Sequence, residues 1–291
     1  MKILLLGKNG MLGSQFAQRL AGFPGVELAA TDKDDLDVLS FGALKRTFEF
    51  HLPDFVINCT GYTDVDKAEF KKKDAMKLNA DTLKSIAKLC NKHGSRLIHF
   101  STDYVFDGRK TPPDGYSESD IANPLSTYGD TKLRGEEFIK KEMVKYYIVR
   151  TSWLYGPRPA GTGGGNFVDT MLRLGKEVLS GDRPELNVVS DQFGAPTHAP
   201  DLAETVIDNF IMKWPDHLPD YGVFHLTNDD YCSWHEFALR IFELREMAVK
   251  VGKIGTSDYR TAAQRPANSI LLNTKLPKMR RWDEALADYL G

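Results

Sequence analysis

The first thirteen residues narrow the fold more than any other stretch. Lys2–Leu6 is a short apolar run that stops at Gly7-Lys8-Asn9-Gly10-Met11-Leu12-Gly13, after which hydrophobic residues recur at helical spacing to Leu20. A strand that turns on glycines into a helix is the first half of a βαβ unit, which needs a parallel partner strand reached by a right-handed crossover. Glycines spaced three apart allow a tight turn and let an anion approach the free amides that open the helix. Gly7, Asn9, Gly10, Met11, Leu12 and Gly13 are therefore candidate contacts for a dinucleotide pyrophosphate. Asp32 follows Gly13 by 19 residues and ends a second apolar run, 26–31, where a carboxylate can accept hydrogen bonds from an adenosine ribose. That favours NADH. Lys33 and Lys8 could instead attract the extra phosphate of NADPH, so both cofactors stay open. Glycines alone make only turns, and a lone aspartate serves equally as a helix cap. The order strand, glycine turn, helix, strand and Asp32 is what favours nucleotide binding.

The alternation continues. Residues 41–50 read as a helix, 55–59 as a strand whose continuous hydrophobicity suits a sheet covered on both faces, 75–90 as a helix, 97–100 as a strand, 133–142 as a helix and 146–149 as a strand. This is an α/β chain of the Rossmann type, a parallel sheet with helices on both faces and ligands gathered where the strands end. After Arg150 the rhythm loosens, and residues 157–165 carry two prolines and four glycines, a flexible-loop composition. Beyond them, 167–178, 202–211, 233–244 and 283–289 read as helices, and 186–189 and 223–226 as strands. The expected division is a predominantly dinucleotide-binding domain over 1–155 and a smaller, predominantly substrate-binding region over 156–291, with return segments to the first.

Composition excludes several other classes. With 291 residues the chain can bury a core without staples, and 38 Lys plus Arg against 40 Asp plus Glu leave no polyanion-coating surface, so no nucleic-acid partner is expected. No apolar run approaches the length of about 18 residues that spans a bilayer, so no membrane partner is expected either. Cys59, Cys90 and Cys232 are too scattered for a disulfide framework and fit a reducing, cytoplasmic setting. The seven histidines, among them His93, His99, His198 and His235, show no ligand spacing, and no bound metal is expected from them.

The reacting groups gather at the same sheet edge. Asn58-Cys59-Thr60-Gly61 closes the third strand as a small-residue wall, with Cys59 reading as a packing residue because nothing nearby marks an activating base. Ser101-Thr102-Asp103-Tyr104 directly follows the fourth strand. Tyr128 and Lys132 stand four apart, on one face if the segment is helical. An ammonium beside a phenol stabilises phenolate and lowers the proton affinity of the tyrosine. Tyr128 would then exchange a proton, Thr102 would orient a carbonyl oxygen, and Lys132 would hold ribose hydroxyls and tune Tyr128. Such a pair is common by chance, and Thr102 would equally finish a strand. The dinucleotide fold around them makes them a constellation.

Taken together, these residues resemble the extended short-chain dehydrogenase/reductase family over almost the whole chain. Gly7, Gly10 and Gly13 match its phosphate turn, and Thr102, Tyr128 and Lys132 its catalytic hydroxyl, tyrosine and lysine. Ser101-Thr102-Asp103-Tyr104-Val105-Phe106-Asp107-Gly108 and Tyr62-Thr63-Asp64-Val65-Asp66-Lys67-Ala68-Glu69 are similar to stretches of its nucleotide-sugar reductases. Arg150-Thr151-Ser152-Trp153-Leu154-Tyr155-Gly156, Gly165-Asn166-Phe167-Val168, Asp191-Gln192-Phe193-Gly194-Ala195-Pro196-Thr197 and Arg265-Pro266-Ala267-Asn268-Ser269 resemble substrate-side segments. Asn268 replaces a frequent aromatic, and residues 58–61 depart from an alanine-rich version. The resemblance implies further cofactor contacts from Asp37, Val38, Cys59, Thr60, Gly61, Tyr62, Thr63 and Asn79. It implies sugar-side contacts from Thr102, Asp103, Tyr104, Trp153, Asn166 and Arg265, the last on a diphosphate, although Trp153 also reads as an interdomain core residue and Arg265 as a structural one. The implied reaction is NADH- or NADPH-dependent reduction of the C4 ketone of a dTDP-linked 4-keto-6-deoxy sugar, foremost dTDP-4-dehydro-L-rhamnose to dTDP-L-rhamnose, with Tyr128 as proton donor. A homodimer, with Mg2+ in its assembly but no assigned ligands, is implied in the same way. Three other outcomes stay open: a related nucleotide-sugar reductase, an epimerase that returns its hydride, and a non-catalytic nucleotide-binding regulatory subunit on the same fold.

Overall fold

A computed structural model describes residues 1–162 and 165–291. Six parallel strands, β1 (Lys2–Leu6), β2 (Glu27–Thr31), β3 (Phe55–Asn58), β4 (Arg96–Thr102), β5 (Tyr146–Thr151) and β6 (Gly222–His225), lie in the order β6-β5-β4-β3-β1-β2. The order reverses at β1, flanked by β2 and β3, so the crossovers leaving β1 and β3 diverge and open a crevice at their carboxyl ends.

Alternate strand residues feed two cores. Ile3, Leu5, Phe55, Ile57, Ile98, Phe100, Tyr147 and Val149 pack on one face with α1 (Met11–Leu20) and the helix Ala199–Val206. Leu4, Leu6, Val56, Leu97 and Ile148 pack on the other with α2 (Phe41–His51), α3 (Thr82–His93) and α4 (Thr127–Glu142). Both faces being covered explains the apolar runs at residues 3–6 of β1 and 55–57 of β3. A third core joins Val168, Phe237 and Trp282 from the later helices, and Tyr155 from the short strand Leu154–Tyr155, to the parallel pair Leu186–Val189 and Val251–Ile254. Two of these helices are started by reciprocal caps, Asn166 with Asp169 and Ser233 with Glu236.

Several elements depart from the periodicity. The helix expected at 75–90 is Lys72–Met76, a π turn Lys77–Asp81, then α3; that expected at 202–211 is Ala199–Val206 and a second π turn, Ile207–Ile211. The first π turn is held by Thr82, whose hydroxyl donates to Lys77 O (2.9 Å). The helix Val65–Phe70 was not expected, because Ala68 is its single buried residue and its sequence leaves no apolar stripe. The strand Val251–Ile254 escaped because Gly252 and Lys253 break its pattern. Helix α4 starts at Thr127 rather than 133: Ser126 caps it by accepting from Gly129 N–H (3.2 Å), while its first turn carries function instead of apolar periodicity. Within the loop expected at 157–165, Gly163 and Gly164 lie outside the described residues. Among the described residues no helix is long and apolar enough to cross a membrane.

Candidate active site

The turn after β1 is built so that only glycine fits. Gly7 has φ +88°, and a Cβ there would lie 3.1 Å from the carbonyl carbon of Cys59; a Cβ on Gly13 would lie 1.9 Å from Gly7 O. The contacts seat α1 against the strand ends. Gly10 caps α1 without a side chain, so the first-turn amides of Met11, Leu12 and Gly13 have no intrahelical acceptor and carry the positive end of the helix field. Beside the turn, Asp32 accepts from Asn9 N–H and Lys33 N–H, each at 2.8 Å. Lys8 pairs with Asp35 at 2.6 Å. Asp37 accepts from Leu39 N–H (3.0 Å), and Val38 packs on the second core.

A cleft of about 520 Å³ runs from this turn to the end of β4. Gly10, Met11, Leu12, Gly13, Cys59, Thr60, Gly61 and Thr63 line it on one side, and Thr102, Asp103, Tyr104, Tyr128, Lys132 and Trp153 farther along. Asn79 works from behind. Buried in the π turn, it accepts from Tyr62 N–H (2.8 Å) and donates to Tyr62 O and Thr131 Oγ1 (3.1 Å each), fixing the wall. Gly135 of α4 allows this approach, since a Cβ there would lie 2.2 Å from Asn79 O.

At the reacting end, Tyr128 and Lys132 share one face of α4. The Tyr128 ring meets Tyr104 edge-on, centroids 5.6 Å apart, and Thr102 lines the same cleft, its hydroxyl easing ionisation of the Tyr128 phenol. Enclosure pushes that phenol up to about 12, against the pull of Thr102. Lys132 is buried and pushed down to about 8 by desolvation. Its Nζ donates to Phe100 O (2.5 Å) and lies 3.3 Å from His99 Nε2. Desolvation dominates the Tyr128 phenol, and the Lys132 ammonium donates to the backbone of β4.

Asp103 is buried, accepts from the Thr102 hydroxyl at 3.0 Å through Oδ1, and leaves Oδ2 buried with no protein partner. Burial raises its carboxyl to about 6. Cys59 is shifted upward by burial, consistent with a packing role. Trp153 adopts φ 45° and stacks on Trp234 with centroids 3.4 Å apart, over a Gly194 where a Cβ would meet the indole at 2.6 Å. Two of the expected sugar-side residues are otherwise engaged. Asn166 caps the helix Phe167–Ser180 and donates to Gly156 O (3.3 Å), and Arg265 pairs with Asp66 at 2.7 Å.

Two groups of buried polar residues were not singled out as site residues from the sequence. Glu136 accepts from Arg150 (2.7 and 2.9 Å) and from Ser101 (2.6 Å), tying α4 to β4 and β5. Asn58 and His99 face each other across β3 and β4. For His99 and Arg150 the usable signal was a polar residue inside an apolar strand; Glu136 on α4 and Asn58 at the end of β3 carry no such signal.

A glycine turn at the switch point of a parallel sheet, opening into a cleft that ends on Thr102, Tyr128 and Lys132, defines a Rossmann-type oxidoreductase of the short-chain class. Comparison with known proteins carries this further. The chain belongs to the RmlD substrate binding domain family, which matches residues 1–291. It is 37% identical to the dTDP-4-dehydrorhamnose reductase of Escherichia coli (strain K12), over 94% of this chain and 90% of that one. The crystal structure of a dTDP-4-dehydrorhamnose reductase, RfbD ortholog, from Clostridium acetobutylicum superposes with TM-score 0.89 and 41% identity, covering 100% of this chain and 98% of the other. The dTDP-4-dehydrorhamnose reductase of Bacillus anthracis, in complex with NADP, gives TM-score 0.88 at 35% identity, covering 99% and 98%.

Proposed function

We propose that this protein reduces the C4 ketone of dTDP-4-dehydro-L-rhamnose to dTDP-L-rhamnose with NADH or NADPH. One observation carries the reading: Thr102 and Tyr128 line one cleft whose other end is the uncapped start of α1. The residues present fit a dinucleotide. Backbone amides of residues 11–13 would hold its pyrophosphate, Cys59, Thr60 and Gly61 would flank it along the cleft, and Asp32 would accept from ribose hydroxyls. When bound, the cofactor supplies the hydride.

The protein supplies the rest. A phenol at about 12 is fully protonated at neutral pH, the form that a reduction needs, since its proton completes the new alcohol as hydride reaches C4. Thr102 accepts from Tyr104 N–H (3.2 Å), so its own proton can turn from Asp103 to the carbonyl oxygen and orient it. The free Oδ2 of Asp103 supports a contact with a sugar hydroxyl, and Trp153 one with an apolar sugar face. Arg265 would reach a diphosphate by leaving Asp66. Asn79 and Asn166 act by holding backbone.

This reading takes 1–155 as mainly cofactor-binding and 156–291 as mainly substrate-binding, with β6 returning to the sheet. It includes a cytoplasmic setting and a homodimer, the latter checked by light scattering. The expectation of Mg2+ in assembly gains no support: among the described residues, no three His, Cys, Asp or Glu side chains are grouped as metal ligands. The deciding test is a steady-state assay of purified protein against several nucleotide-linked 4-keto sugars with each reduced cofactor. Stoichiometric cofactor consumption, fastest with the dTDP-linked rhamnose precursor, is expected. Interconversion of sugar epimers without net consumption would mean an epimerase, and tight nucleotide binding without turnover a regulatory subunit.

A further inference from the structure

Behind the cleft wall runs a buried hydrogen-bond chain whose direction can be worked out from one group that can only donate. The backbone N–H of Thr60 points to a side-chain atom of Asn58 at 3.1 Å, and the Thr60 hydroxyl reaches the same atom at 2.7 Å. A backbone amide cannot accept, so that atom is the Asn58 oxygen and the Asn58 NH2 faces the other way. It faces His99 Nδ1 at 3.2 Å. Nδ1 must therefore accept. His99 is buried, and its proton affinity is shifted well down by desolvation, so the ring is neutral and carries one N–H. With Nδ1 accepting, that N–H is on Nε2, which points at Lys132 Nζ 3.3 Å away.

An N–H aimed at an ammonium is a repulsive pairing, whereas the same N–H aimed at an amine lone pair is a hydrogen bond. We propose that His99 is a positioning residue that sets the charge of Lys132: the chain Thr60–Asn58–His99 presents a donor to Nζ and so weakens the hold of Lys132 on its third proton. Phe100 O, on the same strand, accepts from Nζ in either state and keeps it aimed. Three further groups bear on Lys132. The Cys59 thiol stands at the end of β3, Glu136 lies one turn along α4 with its charge met by Arg150, and Tyr128 lies one turn back. None of these opposes a proton on Lys132 when Cys59 and Tyr128 are neutral, whereas desolvation and the His99 donor do. Nζ would then hold its third proton less tightly than an ordinary lysine, and negative charge on Tyr128, once its proton has left, would tighten that hold. The kinetic readout rests on the reductase reading; the structural readout does not.

The direct experiment is NMR of the ligand-free protein with 15N-labelled histidine, assigning His99 by its loss in His99→Gln. The Nε2–H tautomer is expected, and the Nδ1–H tautomer would overturn the proposal whether or not any sugar is reduced. The second readout is the alkaline limb of kcat/KM. Asn58→Asp replaces the donor facing Nδ1 by an acceptor, reverses the chain and turns Nε2 into an acceptor for the ammonium. His99→Gln offers an amide oxygen in the same place. Each is expected to move the limb up by one pH unit or more. A merely structural role would lower stability or turnover and leave the limb in place, and that result in the variants that fold would refute the idea. If Asn58→Asp does not fold, His99→Gln decides.

Discussion

Replacing Asp103 by Asn is expected to make the ligand-free protein more stable and the enzyme worse. The carboxylate is buried, with Oδ1 on the Thr102 hydroxyl and Oδ2 unpartnered, and its carboxyl stands at about 6 against an ordinary 3.8. A raised carboxyl binds its proton more tightly in the folded chain than in the unfolded one. The ionised form therefore opposes folding, fully above pH 6 and not at all well below 4. Two units correspond to about 3 kcal/mol at pH 7.5, and the same pair of values leaves about 1 kcal/mol at pH 4.5. Asn keeps an acceptor for Thr102 and carries no charge, so the variant should gain roughly these amounts over the parent. The assay is urea unfolding of both proteins without ligands at the two pH values. No gain at pH 7.5, or a gain that does not shrink on acidification, would refute the reasoning. In the same variant kcat/KM should fall at least about tenfold, the size of one lost charged hydrogen bond to a sugar hydroxyl. A site residue kept at a cost in stability is the trade-off this would expose.

Other expectations follow from the same geometry. Tyr128→Phe should lower turnover by about 100-fold or more, the usual scale of a lost proton donor, while cofactor affinity measured by fluorescence titration changes little; normal turnover would remove Tyr128 from the chemistry. Asp32→Ala should weaken NADH more than NADPH, because the carboxylate is the acceptor beside the glycine turn, and equal losses in the two dissociation constants would remove the basis for a preference. Gly13→Ala puts a methyl group 1.9 Å from Gly7 O, which should cost on the order of 1–3 kcal/mol in unfolding experiments and weaken both cofactors together; an unchanged variant would mean that α1 is free to shift.

Much of the nucleotide half was readable because its strands are buried on both faces and its turns are punctuated by glycine. Lys2–Leu6 and Met11–Leu20 were readable to the residue, since burial dictates what they contain. Legibility faded where side chains serve backbone rather than core. The first turn of α4, Thr127 to Thr131, carries no apolar stripe, so its helical state was legible only through the spacing of Tyr128 and Lys132. Asn79 was expected at the cofactor, yet it reaches the wall through Tyr62, a connection that depends on a π turn no periodicity announces. The partners of Arg265 and Lys132 are far away in sequence, Asp66 and Phe100, and pairing across such distances leaves no local pattern.

The sheet's last strand has a consequence for the order of events on the ribosome. β6 pairs with β5 through residues 222–225, so the hydrogen-bonding edge of β5 has no neighbour until roughly 70 further residues have been made. At about 5–20 residues per second this is a window of some 4–14 s. During it the nascent nucleotide-binding half presents a bare, apolar strand to the crowded cell. A fragment ending near residue 155 would keep that edge permanently, and it should precipitate or recruit chaperones where the full chain does not.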